Sequence, residues 1–131
     1  NRGIIDAHSG SMKRVAAWND TDMNLEERAR AYLAINCGHC HSPTGNAASS
    51  GLYLNLTEDR PKQLGVLKKP VAAGRGSGDK LYSIVPGKPE DSILLYRMQS
   101  TDPGVMMPES GRALNHEEGI DLITNWIKSL N

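Results

Sequence analysis

Cys37-Gly38-His39-Cys40-His41 is the stretch on which the reading of this chain turns. Two thiols three positions apart, with an imidazole directly after the second, have the spacing that attachment of a c-type haem requires. Each thiol can add to a vinyl group to form a thioether, and the turn between them carries the next side chain beneath the iron. His41 is then the expected proximal ligand. The chain of 131 residues holds 2 cysteines, both of them here. Two other chemistries use the same spacing. A zinc site would draw further ligands from His8, His39, His41 or His116, but structural zinc recruits its second pair at a regular spacing that this sequence lacks. A thioredoxin-type couple lies at the start of a helix after a strand, whereas here a helical pattern runs into Cys37 from its N-terminal side. One covalently bound haem is therefore the preferred cofactor.

That helical pattern begins at Asn24-Leu25-Glu26-Glu27, which has the form of a capping box: Asn24 accepts from the first free amides and Glu27 reaches back. Leu25, Ala29, Tyr32, Leu33 and Asn36 then share one face, with Glu26 and Arg30 four apart on another. The helix is expected to end at Cys37, so that a rigid element fixes the first thioether before His41 is aimed. Residues 1–23 show no sustained period and read as a lead-in or linker packing through Ile4, Ile5, Val15 or Trp18, which leaves 24–131 as the domain. His8, Met12 and Met23 are within conceivable reach of an iron, but a structural or solvent role is the simpler reading.

Beyond His41, Ser42-Pro43-Thr44-Gly45-Asn46 is dense in turn formers and suits a loop around the cofactor edge. Leu52, Leu54 and Leu56 alternate, which predicts an extended segment turning all three inward. Lys62 to Leu67 is compatible with a short helix. Gly74-Arg75-Gly76-Ser77-Gly78 is not a phosphate-binding loop, since no strand of βαβ type precedes it and the usual Lys-Ser/Thr is missing. Pro89 suits the first position of a helix running through Ser92 to Met98. Asn115-His116-Glu117-Glu118 repeats the capping signal, and Ile120, Ile123, Ile127 and Leu130, with Leu122 and Trp126 beside them, form an apolar stripe. Two capped amphipathic helices at opposite ends of the domain are expected to cross and close the core.

A six-coordinate iron needs a ligand opposite His41, and a neutral thioether favours the ferrous state. Met98 lies in an apolar helix and reads as packing. Met106 and Met107 lie in the Pro/Gly-rich loop Asp102–Pro108, and Met107 is preferred because Pro108 stiffens the backbone just after it. Met106 is the alternative, and His116 would give bis-His ligation.

One domain suits this length, since domains commonly run about 100–150 residues. The absence of Phe leaves a core poor in large side chains, as fits a fold filled by a flat apolar cofactor. Fifteen basic residues balance fifteen acidic ones, which argues against a general affinity for nucleic acid or anionic membrane. The distribution is uneven: Arg60, Lys62, Lys68, Lys69, Arg75, Lys80 and Lys88 face only Asp79 within their stretch. That stretch is read as a solvated loop, with a docking patch or cations near haem propionates as the functional alternative. No stretch approaches the ~18 apolar residues of a membrane span. The chain starts at Asn1 without a charged-then-apolar leader, so it is expected to be a processed form or a domain of a larger protein.

With these pieces assembled, the chain resembles monohaem c-type cytochromes of the all-α class I fold. More narrowly, it is similar to bacterial domains with an Arg-Ala-Arg-Ala-Tyr-Leu run before Asn-Cys-x-x-Cys-His, a Pro-Gly-x-Pro-x-x-Ser helix start, and Met-Pro followed by a terminal Trp-Ile helix. Here these are residues 28–33, 36–41, 86–92, 107–108 and 126–127, so the likeness spans about 24–131. Where that subgroup usually has Met-Pro-Pro, this chain has Met107-Pro108-Glu109, and Met106 doubles the methionine. The resemblance implies electron transfer by a haem bound through Cys37 and Cys40 with His41 and Met107 on the iron. It further implies a location in the periplasm, or in a secreted form or on the outer face of the membrane, and a redox partner or fused dehydrogenase or oxidase domain, without catalysis by this chain itself. A haem enzyme or gas sensor with an open distal site is the alternative, and a zinc-stabilised interaction module a third.

Overall fold

The first helix, α1 (Leu25–Asn36), starts where the capping signal predicts. In the computed structural model, which describes residues 14–131, Asn24 Oδ1 accepts the Glu27 N–H at 2.8 Å. Glu26 and Glu27 add negative charge to the first turn, where the helix dipole favours it. Glu26 also lies 3.8 Å from Arg30, the predicted pair one turn on. Ala29, Ala31 and Leu33 are buried, and Cys37 is the C-cap, its N–H directed at the carbonyls of Leu33 and Ala34.

Two further α-helices follow, α2 (Ile93–Gln99) and α3 (Glu117–Ser129), with short 3₁₀ turns at Ala48–Ser50, Gly74–Ser77 and Pro89–Asp91. The described residues contain no strand, only isolated bridges between Val66 and Ile84 and between Tyr82 and Ser92. The all-α class is therefore as expected. Both α1 and α2 pack on α3. The stripe read from the sequence is the buried face of α3: Ile120, Leu122, Ile123, Trp126 and Ile127 meet Ala29 and Leu33 of α1 and Leu94, Leu95 and Met98 of α2. Burying such a side chain contributes about 1.5–3 kcal/mol, so this three-way contact is the main source of stability. Trp126 Nε1–H donates to Glu26 Oε2, which satisfies the one polar atom of the buried indole and ties the last helix to the first.

Several local expectations are corrected. Leu54 turns inward but Leu52 only partly, and Leu56 is 47% exposed because turns take over from the extended backbone after Asn55. Residues 62–67 form turns rather than a helix. Pro89 opens a separate 3₁₀ turn, and the α-helix begins only at Ile93 after an extended Ser92. The N-cap of α3 is His116 without a side-chain cap bond, because Asn115 is engaged with Arg112 and Gln99. Val15 and Trp18 remain partly exposed while Ala16 is buried, and Ile4, Ile5, His8 and Met12 lie outside the described residues. No helix among the described residues is long and apolar enough to cross a membrane.

Candidate cofactor site

The backbone turns sharply as it leaves α1. Cys40 and His41 both donate their N–H to Cys37 O, at 3.1 and 2.8 Å, so the pentapeptide folds back on its first cysteine. A second turn follows at once, with Ala47 N–H on Cys40 O at 3.0 Å. Gly45 makes that turn possible, since a Cβ there would stand 2.2 Å from Cys40 O. From the other side, Leu54 N–H donates to His41 O at 2.7 Å. The partly inward segment 52–54 thus holds the histidine's backbone.

The imidazole of His41 is set by Ser50. Its Oγ–H donates to Ala47 O at 2.7 Å and its oxygen accepts the Leu52 N–H at 3.2 Å. A hydroxyl has one proton and two lone pairs, so toward His41 Nδ1, 3.4 Å away, Ser50 has only an acceptor left. That puts the proton on Nδ1 and leaves the Nε2 lone pair free, the tautomer a metal-ligating histidine needs. Burial lowers the His41 pKa, opposed by a hydrogen bond with the Leu52 backbone and assisted by the positive charge of Arg97. The shift favours the neutral ring. The negative charge of Glu109, two residues after Met107, acts weakly in the opposite direction.

Cys37 and Cys40 are free thiols, both half-buried. Burial first, and the neighbouring Cys40 second, push the Cys37 thiol up to about 12. Dithiol exchange needs a thiolate at working pH, and this environment opposes it. Among the described residues no group of three or more His, Cys, Asp or Glu is gathered to hold a metal ion, so the donor set of a zinc site is not assembled.

Cys37 and Met107 line the same cavity of about 160 Å³, with Met98 and Arg112 on its wall. Cys40, His41 and Met106 are not among its lining residues. Met107, and not its neighbour, therefore shares a cavity with the first cysteine, and its N–H is anchored on Arg97 O at 2.9 Å. A cleft of about 380 Å³ adjoins it, sharing Tyr32, Asn36 and His116 and bounded by Trp18 and Ile35. His116, exposed, is stacked on Tyr32 at 5.6 Å and edge-on to Trp18 at 5.2 Å, with Nδ1 3.1 Å from the Tyr32 hydroxyl. Its ring is committed there.

These residues fit a covalently held haem in their chemistry: paired thiols, an imidazole directly after the second of them, and a thioether that lines the same cavity as the first cysteine. Arg112 Nε adds a buried donor without an acceptor on a cavity-lining residue, as suits an anionic cofactor edge. In the basic stretch, Arg60 pairs with Glu58 at 2.7 Å and Arg75 with Asp102 at 2.5 Å, so two of its cations are already neutralised. Ser50 and Arg112 had no signal in the sequence: one is a serine in a small polar loop, the other an arginine between loop and helix. No protein-family model matches the chain, and neither a curated protein nor a solved structure matches it significantly.

Proposed function

We propose that this chain is an electron-transfer protein or relay domain of the class I c-type cytochrome kind, carrying one haem c with His41 and Met107 as axial ligands. The observation that carries the reading is the pairing of Cys37-Gly38-His39-Cys40-His41 with a His41 whose Nδ1 lies 3.4 Å from Ser50 Oγ, a hydroxyl that already donates to Ala47 O. Support comes also from Met107 and Cys37 lining one cavity. Haem iron bound in this way supplies one-electron chemistry without a change of ligands. The chain's own residues then have distinct tasks. Cys37 and Cys40 tether the cofactor, the Ser50 contact strengthens His41 as a donor, and the Met107 thioether favours the reduced state. Were a haem held there, the core of α1, α2 and α3 would supply the rigid frame for its tethers, and a redox partner or a fused oxidoreductase domain would exchange electrons with it. Thioether formation needs reduced thiols and haem delivered to the outer side of a bacterial inner membrane, so a periplasmic location goes with the reading.

The test is expression in a host able to attach haem, followed by mass measurement of the denatured chain and spectra in both oxidation states. A mass increase of one haem with a sharp low-spin ferrous spectrum is expected. A colourless chain with unmodified mass overturns the proposal. Rapid carbon monoxide binding by the untreated ferrous protein favours instead a sensor or enzyme with an open distal position.

A further inference from the structure

We infer that Arg112 is a positioning residue for the axial thioether, a latch that holds the Met107 loop on the C-terminal end of α2. The inference rests on the haem reading proposed above and concerns what keeps the sixth ligand in place.

The last carbonyls of a helix have no partner within it. At the end of α2 these are the carbonyls of Arg97, Met98, Gln99 and Ser100, and the loop leading to α3 claims all four. Arg112 Nη1 donates to Met98 O at 3.0 Å, and Nη2 to Arg97 O at 3.3 Å and to Ser100 O. Asn115 Nδ2 donates to Gln99 O at 2.9 Å, and its Oδ1 accepts from Arg112 Nη1 at 2.6 Å. The guanidinium and the carboxamide therefore act as one unit. A cation at this end of a helix is also favoured by the dipole.

Two observations connect this unit to Met107. Its N–H donates to Arg97 O, the carbonyl that Arg112 Nη2 also uses, so ligand loop and latch meet at one atom. Residues 108–115 make no backbone–backbone hydrogen bond among the described residues, so side chains carry the hold on this segment. Arg112 also lines the cavity that Met107 and Cys37 share. Without the fork, residues 108–115 keep only the Asn115 bond to Gln99 O, the loop before them is held on α2 by the Met107 N–H on Arg97 O and by Arg97 Nε on Val105 O, and the thioether loses the clamp on its C-terminal side. A lysine has charge but no planar fork and cannot serve three carbonyls and an amide at once.

The test uses the haem-loaded chain with Arg112→Gln, Arg112→Lys and Asn115→Ala. Arg112→Gln is expected to keep the covalent haem but to weaken the far-red charge-transfer band of sulfur-ligated ferric haem. Its ferrous form is expected to bind carbon monoxide at least about tenfold faster than wild type, equivalent to ~1.4 kcal/mol. Arg112→Lys should behave likewise, and Asn115→Ala should shift both readouts in the same direction by less. If Arg112→Gln fails to fold, Asn115→Ala decides: a wild-type band and binding rate in that variant overturn the latch. Recovery of both readouts by Arg112→Lys overturns it too, since charge alone would then suffice. Should the wild-type chain carry no covalent haem, the proposed function itself fails, and the inference with it; a loaded wild type with unmoved variants sinks only the latch.

Discussion

Tyr32 on α1 occupies the space that a side chain at Gly119 of α3 would need: a Cβ there would stand 2.2 Å from the Tyr32 hydroxyl oxygen and 2.6 Å from His116 Nδ1. The two helices approach closely because one of them offers no side chain. Gly119→Ala should gain up to ~1 kcal/mol in helix propensity but lose about 1–3 kcal/mol to overpacking. A lower denaturation midpoint is the expected balance. Tyr32→Phe removes only the bond to His116 and should cost less. An unchanged midpoint for Gly119→Ala would mean that Tyr32 swings aside freely.

Ser50→Ala withdraws the acceptor facing the Nδ1 proton of His41. A histidine without that acceptor is a weaker donor and stabilises ferric iron less. The midpoint potential of the loaded protein should rise by a few tens of millivolts, on the order of half a tenfold change for one electron. Voltammetry decides it, and a fall in potential would contradict the tautomer assigned to His41.

If the proposed haem is bound, Met107→Ala should abolish the far-red band and open the iron to carbon monoxide, because Met107 lines the cavity with Cys37. Met106→Ala should leave both nearly unchanged. The reverse pattern would assign the iron to Met106, and an effect confined to Met98→Ala would move the ligand onto α2.

Glu58 gives a pH dependence whose direction can be worked out. Hydrogen bonds from the Arg60 side chain and backbone hold its carboxyl at about 2, below the ordinary value of 4.5. A carboxyl whose folded pKa is depressed stabilises the fold above its ordinary pKa, and that contribution fades as pH falls toward the folded value. The stability difference between wild type and Glu58→Gln should therefore be constant near neutrality and shrink from about pH 5 to about pH 2. Denaturation midpoints across that range check it, and a difference that persists to the acid end rules out this linkage.

What was legible in the sequence was local or strictly periodic. Asn24 as the cap, Cys37 at the end of α1 and the stripe from Ile120 to Ile127 depend on spacings of three to four residues, which the chain displays directly. The alternation at Leu52–Leu56 misled at Leu56, because period two was sustained for too few residues to outlast the turn after Asn55. Asn115 looked like a cap because of Glu118, yet Arg112 and Gln99 compete for the same carboxamide. Ser50 and Arg112 act through bonds to His41 and to carbonyls 12 to 15 positions away, and such pairings leave no period to read.

The bond between Glu26 and Trp126 spans 100 positions. Contacts of such long range are slow to form, since loop closure comes before any reward. A nascent chain therefore stays open until α3 has been made and docked. Over that interval Cys37, half-buried in the finished fold, is open to solvent, and under the proposed function the chemistry that joins haem to its sulfur would meet a flexible thread instead of a closed globule.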